Sequence, residues 1–404
     1  MYQFDKVISR EGTQSVKYDN RECEFGEPDV MPFWIADMDF EVPPAVHNAI
    51  MKRAAHPVFG YTGTPNVCYD SICNWVFKRY SWQIEPEWIE FSTGVVPLLS
   101  YAVQAFTMPG DGVVVQPPVY PPFFSVIREH DRRVIENPLR ETATGYVIDF
   151  DNLEEITRPD DVKVFFLCNP HNPVGRVWRP SELERIGAIC LNNNVIIVSD
   201  EIHCDLTLFD NQHTPMASMS HDVAQITVTC MSPGKTFNLA GLSTAYLIAS
   251  NPSLLKSMRR LMRGCHVNTA SIFGTLAMQT AYCMCDDWLS ELKLYLENNI
   301  LQSIDFIKNN LSSVQVVKPD ATFLLWLDFR SWQMTQQELK SFLVKEARLG
   351  FNDGMCFGTG GEGFMRMNIG APWSVVQEGL FSLCEAASQL DIHERFNSSV
   401  PQNV

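Results

Sequence analysis

The sequence predicts an α/β fold built around a mostly parallel sheet. Short, nearly continuous apolar runs alternate with longer segments of helical periodicity in the middle of the chain, which is typical of a parallel sheet covered by helices. Strands buried on both faces need such uninterrupted apolar runs. The predicted strands are residues 112–116, 162–168, 195–199, 226–230 and 244–249.

A second, smaller α+β unit is predicted after residue 285. There the pattern changes to a long helical stretch at 288–311 and a short strand at 322–328, followed by another helix. A chain of 404 residues exceeds a single small core. We therefore predict two domains, with these bounds: a large domain at 46–285, and a small domain formed by 1–45 together with 286–404.

Composition and charge exclude several classes of partner. The net charge of -16 comes without any block of lysine or arginine, so nucleic acid is not an expected partner. No apolar run approaches the roughly 20 residues of a membrane span, and the start lacks the pattern of a signal peptide. The twelve cysteines are scattered through apolar segments and lack metal-site spacing, which predicts buried, reduced thiols in a cytoplasmic protein with no metal.

Polar residues follow four of the predicted strands. Tyr120 follows the first, Asn172 the second, the segment 200–203 the third and Lys235 the fourth. Ligands of open α/β sheets bind outside the carboxyl ends of the strands. These four loops are therefore predicted to converge on one crevice.

Lys235 is the candidate nucleophile. A lone lysine in a loop is usually a solvated surface group, but imine chemistry needs an amine whose pKa is lowered from about 10.4, and a desolvating crevice lowers it. Ser232, three residues earlier, is placed to bond a phosphate ester.

Three motifs in this order resemble the aminotransferase superfamily of pyridoxal 5′-phosphate (PLP) enzymes, fold type I. They are Asn-Pro-His-Asn-Pro-Val-Gly at 169–175, Asp-Glu-Ile-His at 200–203 and Ser-Pro-Gly-Lys-Thr-Phe-Asn at 232–238. The resemblance implies a large domain with a seven-stranded sheet and PLP held as an imine on Lys235.

The resemblance also implies a role for each polar residue at the strand ends. Asp200 keeps the pyridine nitrogen protonated, Asn172 bonds the phenolic oxygen, and Tyr120 and Ile202 pack on the two ring faces. Arg366, in an otherwise apolar segment, grips the substrate carboxylate. From the residues alone, Asp200 and Asn172 remain possible turn or cap residues and Tyr120 a core aromatic.

The phosphate is expected at the start of a helix near residue 95. Backbone N–H groups at Gly94, Val95 and Val96 are placed to receive it. Eight residues after the lysine, where many aminotransferases carry an arginine on the phosphate, this chain has Ser243. By the resemblance Tyr61 reaches the phosphate from a neighbouring subunit, which implies a homodimer.

Further departures point to the carbon-sulfur lyase branch, which includes cystathionine β-lyases and cystalysins. His203 stands where aminotransferases usually have the tyrosine that bonds the phenolic oxygen. The segments 36–38, 60–63 and 93–97 resemble this branch, and Asp37 in the first of them and Tyr61 in the second are assigned to the substrate. Gly234 and Pro121 differ from the branch, which usually has serine before the lysine and, in the cystalysins, a second tyrosine.

The implied reaction is α,β-elimination on a small sulfur amino acid such as L-cystathionine, L-cysteine or an S-substituted cysteine. Lys235 removes the Cα proton, a thiol leaves from Cβ with help from Tyr120, and pyruvate and ammonia follow. Two alternatives use the same residues: an aminotransferase acting on an L-amino acid, and a lyase-fold protein with an added regulatory binding role.

Overall fold

The computed structural model of the protein describes residues 2–267 and 271–397. Its helices, in chain order, are α1 (Val16–Asp19), α2 (Arg21–Phe25), α3 (Pro44–Ala54), α4 (Asn66–Tyr80), α5 (Val95–Phe106), α6 (Pro122–Arg128), α7 (Phe150–Thr157), α8 (Pro180–Asn192), α9 (His221–Gln225), α10 (Pro233–Thr236), α11 (Pro252–Gly264), α12 (Ile272–Met284), α13 (Asp286–Asn310), α14 (Gln336–Lys345) and α15 (Trp373–Asn397).

The strands form one large sheet, one small sheet and two short pairs. In chain order they are β1 (Met31–Pro32), β2 (Ile89–Ser92), β3 (Gly112–Val115), β4 (Arg133–Glu136), β5 (Arg140–Thr142), β6 (Gly145–Val147), β7 (Val162–Cys168), β8 (Ile196–Asp200), β9 (Thr227–Met231), β10 (Ala245–Ile248), β11 (Gln315–Val316), β12 (Leu324–Asp328), β13 (Leu349–Gly350), β14 (Asn352–Asp353) and β15 (Phe364–Asn368).

The large sheet has seven strands in the order β2-β10-β9-β8-β7-β3-β4. Its pairs are parallel except that β10 runs antiparallel to both β2 and β9. The predicted α/β class and mostly parallel seven-stranded sheet are confirmed. The predicted third strand is shifted by one residue, because Asp200 pairs with Cys168 and Cys230 and so belongs to β8.

Helices cover both faces of this sheet. Phe166 of β7 packs with Phe123 of α6 on one face, at 5.2 Å between ring centroids. Its neighbours Phe165 and Leu167 face the other way, into the cluster that contains Leu183 of α8. This alternation buries β7 on both sides, as its apolar run predicts.

The smaller sheet has the order β11-β12-β15-β14, with antiparallel pairs. The predicted helix at 288–311 is α13, and the predicted strand at 322–328 is β12. The N-terminal segment lies beside this sheet, because the backbone N–H of Asn368 in β15 donates to the carbonyl oxygen of Phe33 at 2.8 Å, and β1 pairs in parallel with β13. The proposed domain bounds at residues 45 and 285 stay a prediction.

Two further findings concern the helices and the cysteines. In the part of the chain that the structure describes, no helix is both long and apolar enough to cross a bilayer. The cysteines are unpaired, and six of them are buried: Cys68, Cys168, Cys190, Cys204, Cys230 and Cys285. Four others, including Cys356, are exposed, so the expectation of burial holds for only part of the set.

Candidate active site

A cavity of about 180 Å³ lies at the carboxyl ends of the central strands. The four predicted loops meet there, since each contributes to its wall. The lining residues are Ala36, Thr93, Gly94, Val95, Val96, Tyr120, Cys168, Asn172, Asp200, Ile202, His203, Ser232, Gly234, Lys235, Ala240, Ser243 and Thr244.

Lys235 lies on α10, a single helical turn that follows β9. Burial, followed by the positive charge of Arg366, lowers the pKa of its amine from 10.5 to about 8. Its Nζ donates a hydrogen bond to the carbonyl oxygen of Ala36. A pKa of about 8 leaves a larger fraction of the amine neutral near physiological pH than in an ordinary lysine, and the neutral form is the one that attacks a carbonyl carbon.

Asp200 ends β8 and is buried. Its Oδ1 accepts a hydrogen bond from the backbone N–H of Ile202 at 3.1 Å, and the described residues place no cation in direct contact with it. Burial raises the pKa of the carboxyl to about 7, although the nearby Lys235 charge opposes this shift. A protonated pyridine nitrogen would supply the missing cation, so this residue fits PLP.

Arg366 lies in β15 with its side chain buried. Its Nη1 donates to Oδ1 of Asn172 at 3.0 Å, while Nη2 donates to the carbonyl oxygen of Trp34 at 2.8 Å and to the side chain of Asn352. These partners are neutral, and the Nε atom of Arg366 is buried without a hydrogen-bond partner. A buried guanidinium with an unpaired donor fits a substrate carboxylate.

Three side chains give the cavity its apolar and neutral walls. Burial raises the pKa of Tyr120, so its phenol stays protonated at neutral pH. Burial also lowers the pKa of His203 to about 3, so its ring is neutral, and its Nδ1 is buried without a partner. Ile202 stands beside them in the wall.

A second part of the cavity wall, which we call the neutral end, is formed by the start of α5 and by hydroxyl groups. Val95 and Val96 are in the first turn of this helix, where backbone N–H groups have no intrahelical acceptor. Thr93, Ser243 and Thr244 supply the hydroxyl groups to the wall. These neutral donors fit a phosphate, although Lys235 is the only lysine or arginine among the described lining residues.

Ser232 lines the cavity, but its hydroxyl has other partners. Its Oγ donates to the carbonyl oxygen of Thr244 at 2.7 Å and accepts from the N–H of Gly234 at 2.9 Å. The only proton of this hydroxyl is thus directed away from the cavity. Its contact with a phosphate remains a prediction.

Three predicted site residues lie outside the cavity wall: Arg366, which reaches the wall through its hydrogen bond to Asn172, and the pair Asp37 and Tyr61. Asp37 forms a two-point ion pair with Arg10, at 2.9 and 2.7 Å, although its charge still acts on the Lys235 amine. Tyr61 is fully exposed. The predicted contacts of Asp37 with the substrate and of Tyr61 with the phosphate of a neighbouring subunit stay predictions.

Several lining residues were not predicted from the sequence. Ala36 contributes its backbone carbonyl, which any residue type would supply, so its side chain gives no signal. Thr93 lies next to the predicted phosphate loop and would have been found by counting hydroxyls there. Thr244 carries no motif of its own, and only the fold brings it beside Ser232.

The model of the family "Aminotransferase class I and II" matches residues 28–380 of the chain. The chain belongs to this family. The cystathionine β-lyase PatB of Bacillus subtilis (strain 168) is 44% identical over 386 residues, which is 95% of this chain and 100% of that protein. Protein MalY of Escherichia coli (strain K12) is 30% identical over 96% of this chain and 99% of its own length.

The solved structures include cystalysin from Treponema denticola, whose description names a PLP cofactor. It has a TM-score of 0.94 and 35% identity, and the match covers 96% of this chain and 100% of that one. The predicted resemblance to the carbon-sulfur lyase branch of the family, and the PLP cofactor that it implies, are confirmed by these relatives.

Proposed function

We propose that this chain is a PLP-dependent carbon-sulfur β-lyase that converts L-cystathionine, L-cysteine or a related S-substituted cysteine into a thiol, pyruvate and ammonia. The observation that carries the proposal is the position of Lys235, a buried amine whose pKa is lowered to about 8, in one cavity with Asp200 and near Arg366. The relatives named as cystathionine β-lyase and cystalysin support the same reaction.

When bound, PLP supplies an electron sink that stabilises negative charge at the substrate Cα. The chain's residues would hold the reactants around it. The Asp200 carboxylate would keep the pyridine nitrogen protonated, and the Asn172 amide would bond the phenolic oxygen. The free Nε of Arg366 would bind the substrate carboxylate and orient the Cα–H bond.

Lys235 and Tyr120 would move the protons. The neutral Nζ of Lys235 takes the Cα proton, because its lowered pKa makes it a base near neutral pH. The C–S bond at Cβ then breaks, and the sulfur takes the bonding electron pair with it. The Tyr120 phenol, protonated because burial raises its pKa, would give that sulfur a proton.

An assay without a keto-acid acceptor separates elimination from amine transfer. The purified protein is incubated with PLP and L-cystathionine, L-cystine or L-cysteine, and pyruvate is measured together with the released sulfur product, which is a thiol, a persulfide or sulfide, respectively. We expect equal amounts of both products. Amine exchange with added keto acids, and no pyruvate in their absence, would instead show an aminotransferase.

We further propose that the active protein is a cytoplasmic homodimer in which Tyr61 contacts the phosphate of the partner's site. The Tyr61 segment, residues 56–65, exposes Val58, Phe59 and Tyr61 together. Such clustered apolar exposure is typical of an interface. The unpaired cysteines suit a reducing compartment.

A mixture of two inactive variants tests this arrangement. Tyr61→Ala and Lys235→Ala are unfolded together and refolded as mixed dimers. If Tyr61 acts across the interface, one site in each mixed dimer is intact, and about a quarter of the sites regain activity. Activity no higher than the mean of the two variants would place Tyr61 elsewhere.

A further inference from the structure

Asp205 is a buried carboxylate behind the cavity that has no part in the chemistry described above. It lies five residues after Asp200, on the loop that follows β8, and its side chain is 2% exposed. A charge in such a place is costly unless it is paired and hydrogen-bonded.

The Asp205 carboxylate is fully bonded by two other elements. From α4, Trp75 Nε1 donates to it at 3.2 Å, Tyr80 donates its hydroxyl proton, and Arg79 Nε stands at 3.6 Å. From α10, Thr236 Oγ1 donates to Oδ2 at 2.9 Å. With both oxygens occupied, the carboxylate has one orientation.

Thr236 is the residue after Lys235 and is itself fully buried. The α10 turn is only four residues long, so its own backbone hydrogen bonds fix its direction poorly. Side chains anchor it at three points: Ser232 to Thr244 at its start, Asn238 to Met38 and Phe40 at its end, and Thr236 to Asp205 between them.

The three side-chain anchors bond different segments of the chain. Ser232 and Asn238 bond backbone groups of β10's leading turn and of the N-terminal segment. The Thr236 hydrogen bond instead joins the lysine turn to the loop that begins at Asp200. It is therefore the side-chain contact that relates the amine of Lys235 to the carboxylate of Asp200.

We propose that Asp205 is a positioning residue, which acts through Thr236 to hold Lys235 at the distance from Asp200 that reaction with the cofactor requires. The proposal rests on the PLP assignment made above. Misplacing a reacting group by about 1 Å costs on the order of 10²-fold in rate, so the loss of this contact would slow the attack of the amine.

The test measures capture of PLP by the cofactor-free protein. PLP is added to each variant, and the rate of the absorbance change that accompanies covalent attachment is followed by stopped flow. Thr236→Val keeps the shape of the side chain and removes the donor, whereas Thr236→Ser keeps the donor. We expect Thr236→Val to slow capture by about tenfold or more, and Thr236→Ser to restore a rate within about threefold of the parent.

Tyr80→Phe is the matched control for stability. It removes a different donor from the same carboxylate, at Oδ1 rather than at the Oδ2 that Thr236 bonds. A purely structural role of Asp205 predicts that Tyr80→Phe and Thr236→Val, compared at equal Tm, capture PLP at equal rates. That result, or capture at the parent rate by Thr236→Val, would overturn the positioning role.

Asp205→Asn extends the test if it folds, because an amide keeps one acceptor oxygen and loses the charge. We expect slower capture there too. A parent protein that captures no PLP at all would refute the cofactor assignment, which is distinguishable from a parent and Thr236→Val that capture it equally well.

Discussion

Two parts of the site, which we call the reacting end and the neutral end, differ in charge. At the reacting end, Asp200 and Arg366 are buried and Lys235 is partly buried, and desolvation shifts the pKa of each of these ionisable groups. At the other end, the start of α5 and the hydroxyls of Thr93, Ser243 and Thr244 offer only neutral donors. Burial therefore disfavours the charged forms of the groups at the reacting end, whereas the groups at the neutral end carry no charge.

This difference has a chemical reason. Arg366 already lowers the pKa of Lys235. A second arginine at the phosphate end would lower it further, whereas helix N–H groups and hydroxyls bind a phosphate without adding a full positive charge. The neutral end thus leaves the basicity of the lysine to be set by Asp200, Asp37, Arg366 and burial.

The largest expected effect comes from removing the amine. Lys235→Ala should abolish covalent capture of PLP and lower the elimination rate by at least about 10³-fold, since both the nucleophile and the base are lost. Absorbance of the bound cofactor and pyruvate release measure the two effects. Lys256→Ala, on the exposed surface of α11, is the control and should behave as the parent. An unchanged cofactor spectrum in Lys235→Ala would refute the assignment of Lys235 as the residue that binds PLP covalently.

A smaller loss is expected when the charge on Asp200 is removed. Asp200→Asn keeps the shape but cannot hold the pyridine nitrogen protonated, so we expect elimination to fall by about 10²-fold or more while PLP is still captured. Asp200→Glu retains the charge and should lose less. Equal rates for Asp200→Asn and the parent would mean that the reacting end does not depend on this carboxylate.

Adding a positive charge to the neutral end should change the Kd of PLP by about tenfold. Ser243→Arg places a guanidinium near the expected phosphate, so we expect tighter binding of PLP and a steeper dependence of its Kd on salt. Ser243→Ala, which adds no charge, should change the Kd by no more than about threefold. Fluorescence titration of the cofactor-free protein at low and high salt measures both. Unchanged affinity and salt dependence in Ser243→Arg would place the phosphate elsewhere.

The sequence predicted the parts of this cavity that depend on local order along the chain. The apolar runs located five of the seven strands of the large sheet but not β2 or β4, and the polar residues after them located Lys235, Asp200, Asn172 and Tyr120 in one wall. The sequence did not predict contacts between segments that are far apart along the chain. Arg10 binds Asp37 across 27 positions, and Asp205 binds Thr236 across 31. Such pairs are fixed by tertiary packing, which no local pattern encodes.

The same limit explains Ser232 and Tyr61. The Ser232 hydroxyl is bound by Thr244, a residue that only the antiparallel course of β10 brings alongside. Tyr61 is exposed, and its predicted contact lies on a second chain, so the structure of one chain does not test it.

The smallest expected effect concerns the stability of the reacting end itself. Because the pKa of Lys235 is lowered from 10.5 to about 8, the unfolded chain binds more protons than the folded chain between these two values. The destabilisation from burying the amine is therefore fully present below pH 8 and is lost as pH rises towards 10.5. In the cofactor-free protein, Lys235→Met should raise Tm by about 3 °C at pH 7, and this gain should shrink towards pH 10.5. Thermal denaturation across this range measures it, with Lys256→Met as the exposed control whose difference from the parent stays flat. A gain that does not change with pH would mean that the reacting end is not held at an electrostatic cost, and the contrast between the two ends would then be one of composition alone.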